Sequence, residues 1–277
     1  MDQLTIAIIG FFVGLAGGMF GIGGSVILIP ALTEFRGPNQ HLYQATAMIM
    51  NFFVSVPAVF QHWRARAIDA ATIARLVPLS IVFVAIGVAL SESQLFAGPG
   101  EAYLRGLFGI FLFACGLAEI YRAYRPRNLA DETNSPQIEK TDPPTLTWPL
   151  IAAIAAPTGF ISGLLGIGGG ILGVPLQRRF LRMPLTIAIA NSTALVAATA
   201  VFGAIIKNYA YYSEHGSASE PIRLAAILAP TAIAGSLVGS RLTHRVPLKL
   251  LRNLFVVLLL VAAIRLMHGA FQSANAN

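Results

Sequence analysis

Gly17-Gly-Met-Phe-Gly21-Ile-Gly-Gly-Ser25 and Ser162-Gly-Leu-Leu-Gly166-Ile-Gly-Gly-Gly170 are the two stretches whose reading decides how this chain folds. They sit inside apolar runs at 4–33 and 148–176, longer than the roughly 20 residues one membrane span needs. Glycine is a poor helix former, so a cluster of glycines predicts a break in the middle of each run. An apolar arm ending at Pro30 or Pro175 follows each break.

Outward from these motifs the sequence repeats itself. A shift of 145 residues lays 14–62 over 159–207 without a gap, with ten identities that include Gly21/Gly166, Gly23/Gly168, Gly24/Gly169 and Pro30/Pro175. Each half then holds four apolar segments, at 4–33, 42–62, 73–92 and 103–121, and at 148–176, 184–206, 222–242 and 250–268. The domain division expected is a first membrane repeat at 1–121, a polar proline-punctuated linker at 122–147, and a second repeat at 148–277.

Composition sets the class. Of the 277 residues 56% are hydrophobic and only 11% charged, where soluble domains carry about a quarter charged residues. Spans in lipid must satisfy their own backbone groups, so they read as helices. The net charge of +7 comes from lysines and arginines in short inter-segment loops, as topogenic charges do, and no nucleic-acid-binding signature accompanies it. Cys115 is the lone cysteine and reads as a small apolar residue.

Charge also orders the halves. If all eight segments cross, the 19 basic residues divide ten against nine, which gives no bias. If each leading segment is a re-entrant hairpin, the second half flips. Arg64, Arg66, Arg75, Arg122, Arg125, Arg127 and Lys140 then join Arg178, Arg179, Arg182, Arg241, Arg245, Lys249 and Arg252 on one side, fourteen of 19. Positive residues favour the cytoplasmic side. The fold expected is therefore all-α integral membrane, as two inverted four-segment repeats. Each repeat is a glycine-broken re-entrant hairpin plus three transmembrane helices.

A helix interrupted at membrane depth exposes amides at the start of its second arm, and these with the helix dipole attract an anion. Gly21, Gly23, Gly24 and Ser25, with Gly166, Gly168, Gly169 and Gly170, are the expected cradle. Thr46, Asn51, Asn191, Ser192 and Thr193 would add uncharged donors from the second and sixth segments. For the outer pairs Gly14/Gly18 and Gly159/Gly163, close helix packing is the preferred reading. His62 and Lys207 superpose in the repeat and read as interfacial anchors. Ser55 and Thr199 are as well explained by bonds to their own helix carbonyls. No catalytic pair, metal-binding spacing or nucleotide loop is apparent, so neither enzyme nor cofactor nor metal is expected.

The two Gly-Ile-Gly-Gly motifs, the prolines after them and Ala190-Asn-Ser-Thr193 resemble the TauE/SafE family of membrane permeases, and the resemblance spans almost the whole chain. The first-half counterpart, Ala45-Thr-Ala-Met48, lacks the serine often found there in the family. The resemblance implies a substrate class, sulfite, sulfonates or other small organic anions, and leaves the direction of transport open. The reading is a multi-pass secondary transporter of the bacterial inner membrane, moving a small anion by alternating access of its repeats. The rivals are an anion channel and a non-transporting membrane scaffold. Its partners are the anion and the lipid bilayer; the coupling ion and any homo-oligomeric state stay open.

Overall fold

The computed structural model describes residues 3–124, 147–243 and 245–275, and their regular structure is helical throughout. Ten α-helices follow in chain order: α1 (Gln3–Phe20), α2 (Ser25–Arg36), α3 (Gln40–Arg64), α4 (Ala70–Ser91), α5 (Glu101–Tyr124), α6 (Trp148–Leu165), α7 (Gly170–Leu181), α8 (Leu185–His215), α9 (Ser219–Thr243) and α10 (Leu248–Asn275). Among the described residues seven of them, all but α1, α2 and α7, are long and apolar enough to cross a membrane. The chain is a multi-pass membrane protein. Most of the expected linker, residues 125–146, lies outside the described residues.

Both leading segments are broken where the glycines predict. Gly21 and Gly23 in the first break have φ of +69° and +73°; Gly166, Gly168 and Gly169 in the second have +73°, +71° and +76°. Residues with a Cβ rarely adopt this left-handed conformation, so each run becomes two helices with a sharp change of direction.

The halves interleave. α1 runs parallel to α9, with Gly10, Gly14 and Gly18 against Leu228, Ala232 and Ser236 in turn. α9 returns the favour through Gly235 and Gly239, which face the backbone of Phe11 and Leu15. In the second half α6 runs parallel to α4. Gly159 and Gly163 lie on the carbonyls of Ser80 and Val84, and Gly87 on that of Phe160. A Cβ at Gly14 or Gly163 would overlap a carbonyl oxygen across the interface, so the outer glycines serve close helix packing. Gly163→Ala is expected to destabilise the fold by about 1–3 kcal/mol by overpacking this seam, read as a lowered unfolding temperature in detergent. α5 and α10 pack on each other, and α3 lies against α8.

Side chains mark the two ends of the bundle. At the first end Arg36, closing α2, pairs with Glu220 at the start of α9 at 3.6 Å, and Arg265 of α10 pairs with Glu34 at 2.9 Å. The Tyr43 hydroxyl, just inside α3, donates to Gly37 O at 2.7 Å. At the second end Leu181, closing α7, belongs to one apolar cluster with Ile151 and Ile154 of early α6 and Leu76 of early α4. Asp69, which caps α4, donates its backbone N–H to Asn191 Oδ1 of early α8 at 2.8 Å.

Candidate functional site

The two breaks meet inside the bundle. A Cβ at Gly170 would strike Gly21 O and Ile22 Cα, so the second break rests on the first with no side chain between them. Two polar side chains join them. Asn51 of α3 accepts at Oδ1 from the backbone N–H of Gly24 (2.9 Å) and Ser25 (3.3 Å), and its Nδ2 donates to Gly166 O at 3.4 Å. Ser192 of α8 places its hydroxyl 3.1 Å from both Gly21 O and Gly170 O; with a single hydrogen it serves one at a time. Asn51 and Ser192 are fully buried.

The tips differ in one respect. The first amides of α2 already have a partner, the Asn51 carboxamide oxygen. Among the described residues no side chain accepts from the first amides of α7, which begins at Gly170 after the left-handed Gly169. A mostly apolar cavity of about 60 Å³ borders the start of that helix and runs along its flank, lined by Phe20, Ile22, Gly170, Ile171, Val174, Pro175, Leu185, Ile189 and Phe255, with Glu119 and Arg178 also in its wall. The space matches a few water molecules or a small anion. A second, more polar cavity of about 350 Å³ lies at the first end, lined by Pro30, Thr33, Glu34, Arg105, Arg265 and His268 among others. Residues of the breaks do not line it.

The remaining expected donors lie elsewhere. Thr46 Oγ1 and Thr193 Oγ1 donate to the carbonyls of Leu42 and Ile189 in their own helices, at 2.9 and 2.8 Å. Asn191 is taken up by the start of α4 and by Met183 Sδ. Thr199 likewise donates to Leu195 O within α8. Ser25 Oγ and Ser55 Oγ are buried without a hydrogen-bond partner among the described residues. Of the thirteen expected residues, the eight at the breaks, Asn51 and Ser192 come together, and Thr193 Oγ1 adds only proximity to Gly21.

Three neighbours escaped the sequence reading. Gln44 Nε2 donates to Leu164 O at 3.2 Å, while Gln44 Oε1 has no partner among the described residues. Ser162 Oγ and the whole Gln177 amide are buried and equally unpartnered. Buried polar atoms without partners are costly in a protein interior and more so in lipid. A polar residue within an apolar segment was the available signal; Gln44 and Ser162 carried it, while Gln177 lies just beyond the segment that ends at 176.

His62 and Lys207 are not interfacial anchors, because both are fully buried. Lys207 Nζ is ion-paired with Glu92, donates to Ser91 Oγ at 2.9 Å and lies 3.4 Å from His41 Nδ1. Glu92 follows the last residue of α4, with its side chain 15% exposed. Burial alone would raise its carboxyl, but the His41 hydrogen bond and the Lys207 charge outweigh that and lower it to about 2. The pairing therefore stabilises the fold at neutral pH, and that contribution fades as pH falls from about 4.5 toward about 2.

The family described as Sulfite exporter TauE/SafE matches residues 6–266. The chain is 26% identical to the probable membrane transporter protein MamO of Magnetospirillum gryphiswaldense across 96% of its own length and 45% of that protein. It thus spans about half the length of MamO. It is 29% identical to the probable membrane transporter protein MJ0441 of Methanocaldococcus jannaschii, covering 89% of this chain and 88% of that one. With the probable membrane transporter protein YunE of Bacillus subtilis it shares 24% identity over 98% of this chain and 100% of the other. No solved structure matches the chain at a significant level. Over nearly its whole length, and with its paired breaks in contact, the chain belongs to the sulfite exporter TauE/SafE family.

Proposed function

We propose that the chain is a secondary transporter that carries a small anion, sulfite or an organosulfonate, across the bacterial inner membrane. The observation that carries this reading is the contact between the two breaks, where the start of α7 borders a small cavity. Amides at such a helix start suit an oxyanion, because they neutralise its charge without a rigid ion pair, and Ser192 holds the two breaks together beside them. Gly168, Gly169 and Gly170 hold the anion; Gly21, Gly23, Gly24, Ser25 and Asn51 shape the opposite wall.

Each broken segment acts as a re-entrant hairpin, and the two are inverted. α1 beside α9 and the Arg36–Glu220 pair support the return of α2 to the end where α1 starts. α6 beside α4 and Leu181 against Ile151 support the same for α7 at the opposite end. Among the described residues Arg64, Arg66, Arg75, Arg178, Arg179, Arg182, Arg241 and Arg245 lie toward the end that receives α7, against Arg36, Arg105, Lys207, Arg223 and Arg265 toward the other, a bias that favours a cytoplasmic α7 end.

Alternating access then needs a boundary that can move. Whole halves are poor candidates, since α1 is nested in α9 and α6 in α4. The α5–α10 pair is the better one. The cavity at the breaks has Glu119 of α5 and Phe255 of α10 on one side, and the cavity at the first end has Arg105 and Arg265. Rocking this pair against the hairpin arms would open one cavity as it closes the other.

Proteoliposome flux tests the reading. Saturable, gradient-coupled movement of sulfite or a sulfonate is expected, reduced at least tenfold in Gly23→Ala with Gly168→Ala. Unsaturable flux would mark a channel. No flux of any tested anion, together with unaltered cellular anion movement in the double variant, would leave only the scaffold.

A further inference from the structure

We infer that His41 Nδ1 is the binding site of a coupling proton, and that its occupancy releases Lys207 to meet the anionic substrate. The inference rests on the transporter reading and supplies its driving ion.

The tautomer follows from the neighbours. His41 Nε2 lies 3.0 Å from Phe96 O. A carbonyl only accepts, so Nε2 carries the hydrogen. In the neutral ring Nδ1 is then a lone pair, 3.4 Å from Lys207 Nζ and 3.2 Å from Glu92 Oε1. Toward the ammonium that lone pair is a good acceptor; toward the carboxylate it is repulsive. A proton from water at the first end, bound to Nδ1, reverses both relations. Nδ1 becomes a donor to Glu92 Oε1 and repels Lys207. The same Oε1 holds the Lys207 ammonium, so the imidazolium competes for the atom that binds the lysine.

Charge balance sets the stoichiometry. With a neutral ring, Lys207 and Glu92 cancel. The proton adds one positive charge in a place where water scarcely reaches, since Lys207 is fully buried and His41 nearly so. Uncompensated charge is costly there. One monovalent anion that enters from the first end meets the released ammonium on its way to the breaks and restores neutrality, so proton and anion are taken up together. Glu92 Oε1 is held by the Lys207 ammonium, and His41 Nδ1 is the lone pair that faces both groups, so His41 is the place for the added proton. A metal cation would have to displace the ammonium from Oε1.

Other charges around the cluster are few. Glu101 on α5 and Glu214 on α8 act on Lys207 from farther away, and Glu101 Oε2 accepts from Gln40 N at 3.3 Å. Ser91 supplies only a hydroxyl. The cluster is also joined to the breaks. Gln44 lies about one turn of α3 beyond His41, its side chain sits against Gly166, and its Oε1 is buried without a partner among the described residues.

Two measurements test this. In a Cys115→Ser background, spin labels on Leu95→Cys and Tyr212→Cys report the gap between the end of α4 and α8; both positions are exposed. The distance is expected to widen as pH falls from about 8 to about 5.5, across the ordinary histidine range. It should be flat in pH in His41→Gln and in Glu92→Gln, which removes the charge that Nδ1–H would meet. A parent distance indifferent to pH overturns the inference, as does an unaltered response in both variants. In weakly buffered detergent, methanesulfonate, whose charge does not titrate in this range, should bind with uptake of about one proton per anion. His41→Gln should take up none. Anion binding without proton uptake overturns the inference. A pH-responsive distance in a protein that neither binds nor moves any anion upholds the proton site and sinks the transporter reading instead.

Discussion

Gly170→Val should abolish anion transport. A Cβ at this position would fall on Gly21 O and Ile22 Cα, and these are backbone atoms that no rotamer change can move aside. The two breaks must then separate, and Ser192, which now reaches Gly21 O and Gly170 O at 3.1 Å each, can keep at most one. The cavity wall formed by Ile22 and Gly170 is lost with the contact. Overpacking of a tight core costs about 1–3 kcal/mol, too little on its own to unfold a typical protein. The expected result is therefore a folded protein, visible as a monodisperse peak in detergent, whose flux in proteoliposomes falls at least a hundredfold. Gly216→Val makes a suitable control. Gly216 also has a positive φ, but a Cβ there meets nothing, so it should lose some stability and keep its flux. Equal flux in Gly170→Val and the parent would remove the contact between breaks from the transport path.

The breaks were legible in the sequence because glycine announces itself twice, through poor helix propensity and through tolerance of positive φ. Register in the repeat made the pair stand out. The packing role of Gly14, Gly18, Gly159 and Gly163 was legible too, from their four-residue spacing. Their partners were not. Nothing local says that Gly14 rests on Ala232 rather than on a helix of its own half, because hydrophobic segments in lipid carry little information about neighbours.

The polar residues divided along the same line. Asn51 and Ser192 reach the breaks, while Thr46 and Thr193 bond to the preceding turn of their own helices. Threonine has that local option in any helix; asparagine and glutamine, with longer arms, reach other elements. Residue type therefore held more information than position, as Gln44 shows by reaching Leu164 O across the bundle. The charged cluster was hidden for another reason. Glu92 and His41 sit at segment ends, where charge is unremarkable, and Lys207 stands 115 and 166 residues away from them. Only the fold brings the three together.

Lys207→Met should be the most destabilising single substitution at this cluster. It leaves the Glu92 carboxylate, mostly buried, with His41 and Ser91 as neighbours and no permanent positive charge. Removing one member of a buried pair costs about 3–5 kcal/mol, chiefly because the other charge stays behind. Glu92 retains some exposure and can take up a proton, so the lower part of that range is expected. The loss should shrink as pH falls and the stranded carboxylate is neutralised, opposite in sign to the acid sensitivity of the intact pair. Adding Glu92→Gln removes the stranded charge and should recover most of the stability, since a neutral pair of similar volume is often no worse than the ions it replaces. Apparent unfolding temperatures of the four proteins, measured in one detergent at pH about 7.5 and about 5, give the coupling between the residues directly. Additive losses, with no recovery in the double variant, would mean that Lys207 and Glu92 are held by separate partners. The junction of α4 with α8 would then be held without this ion pair, and a proton on His41 would have none to loosen.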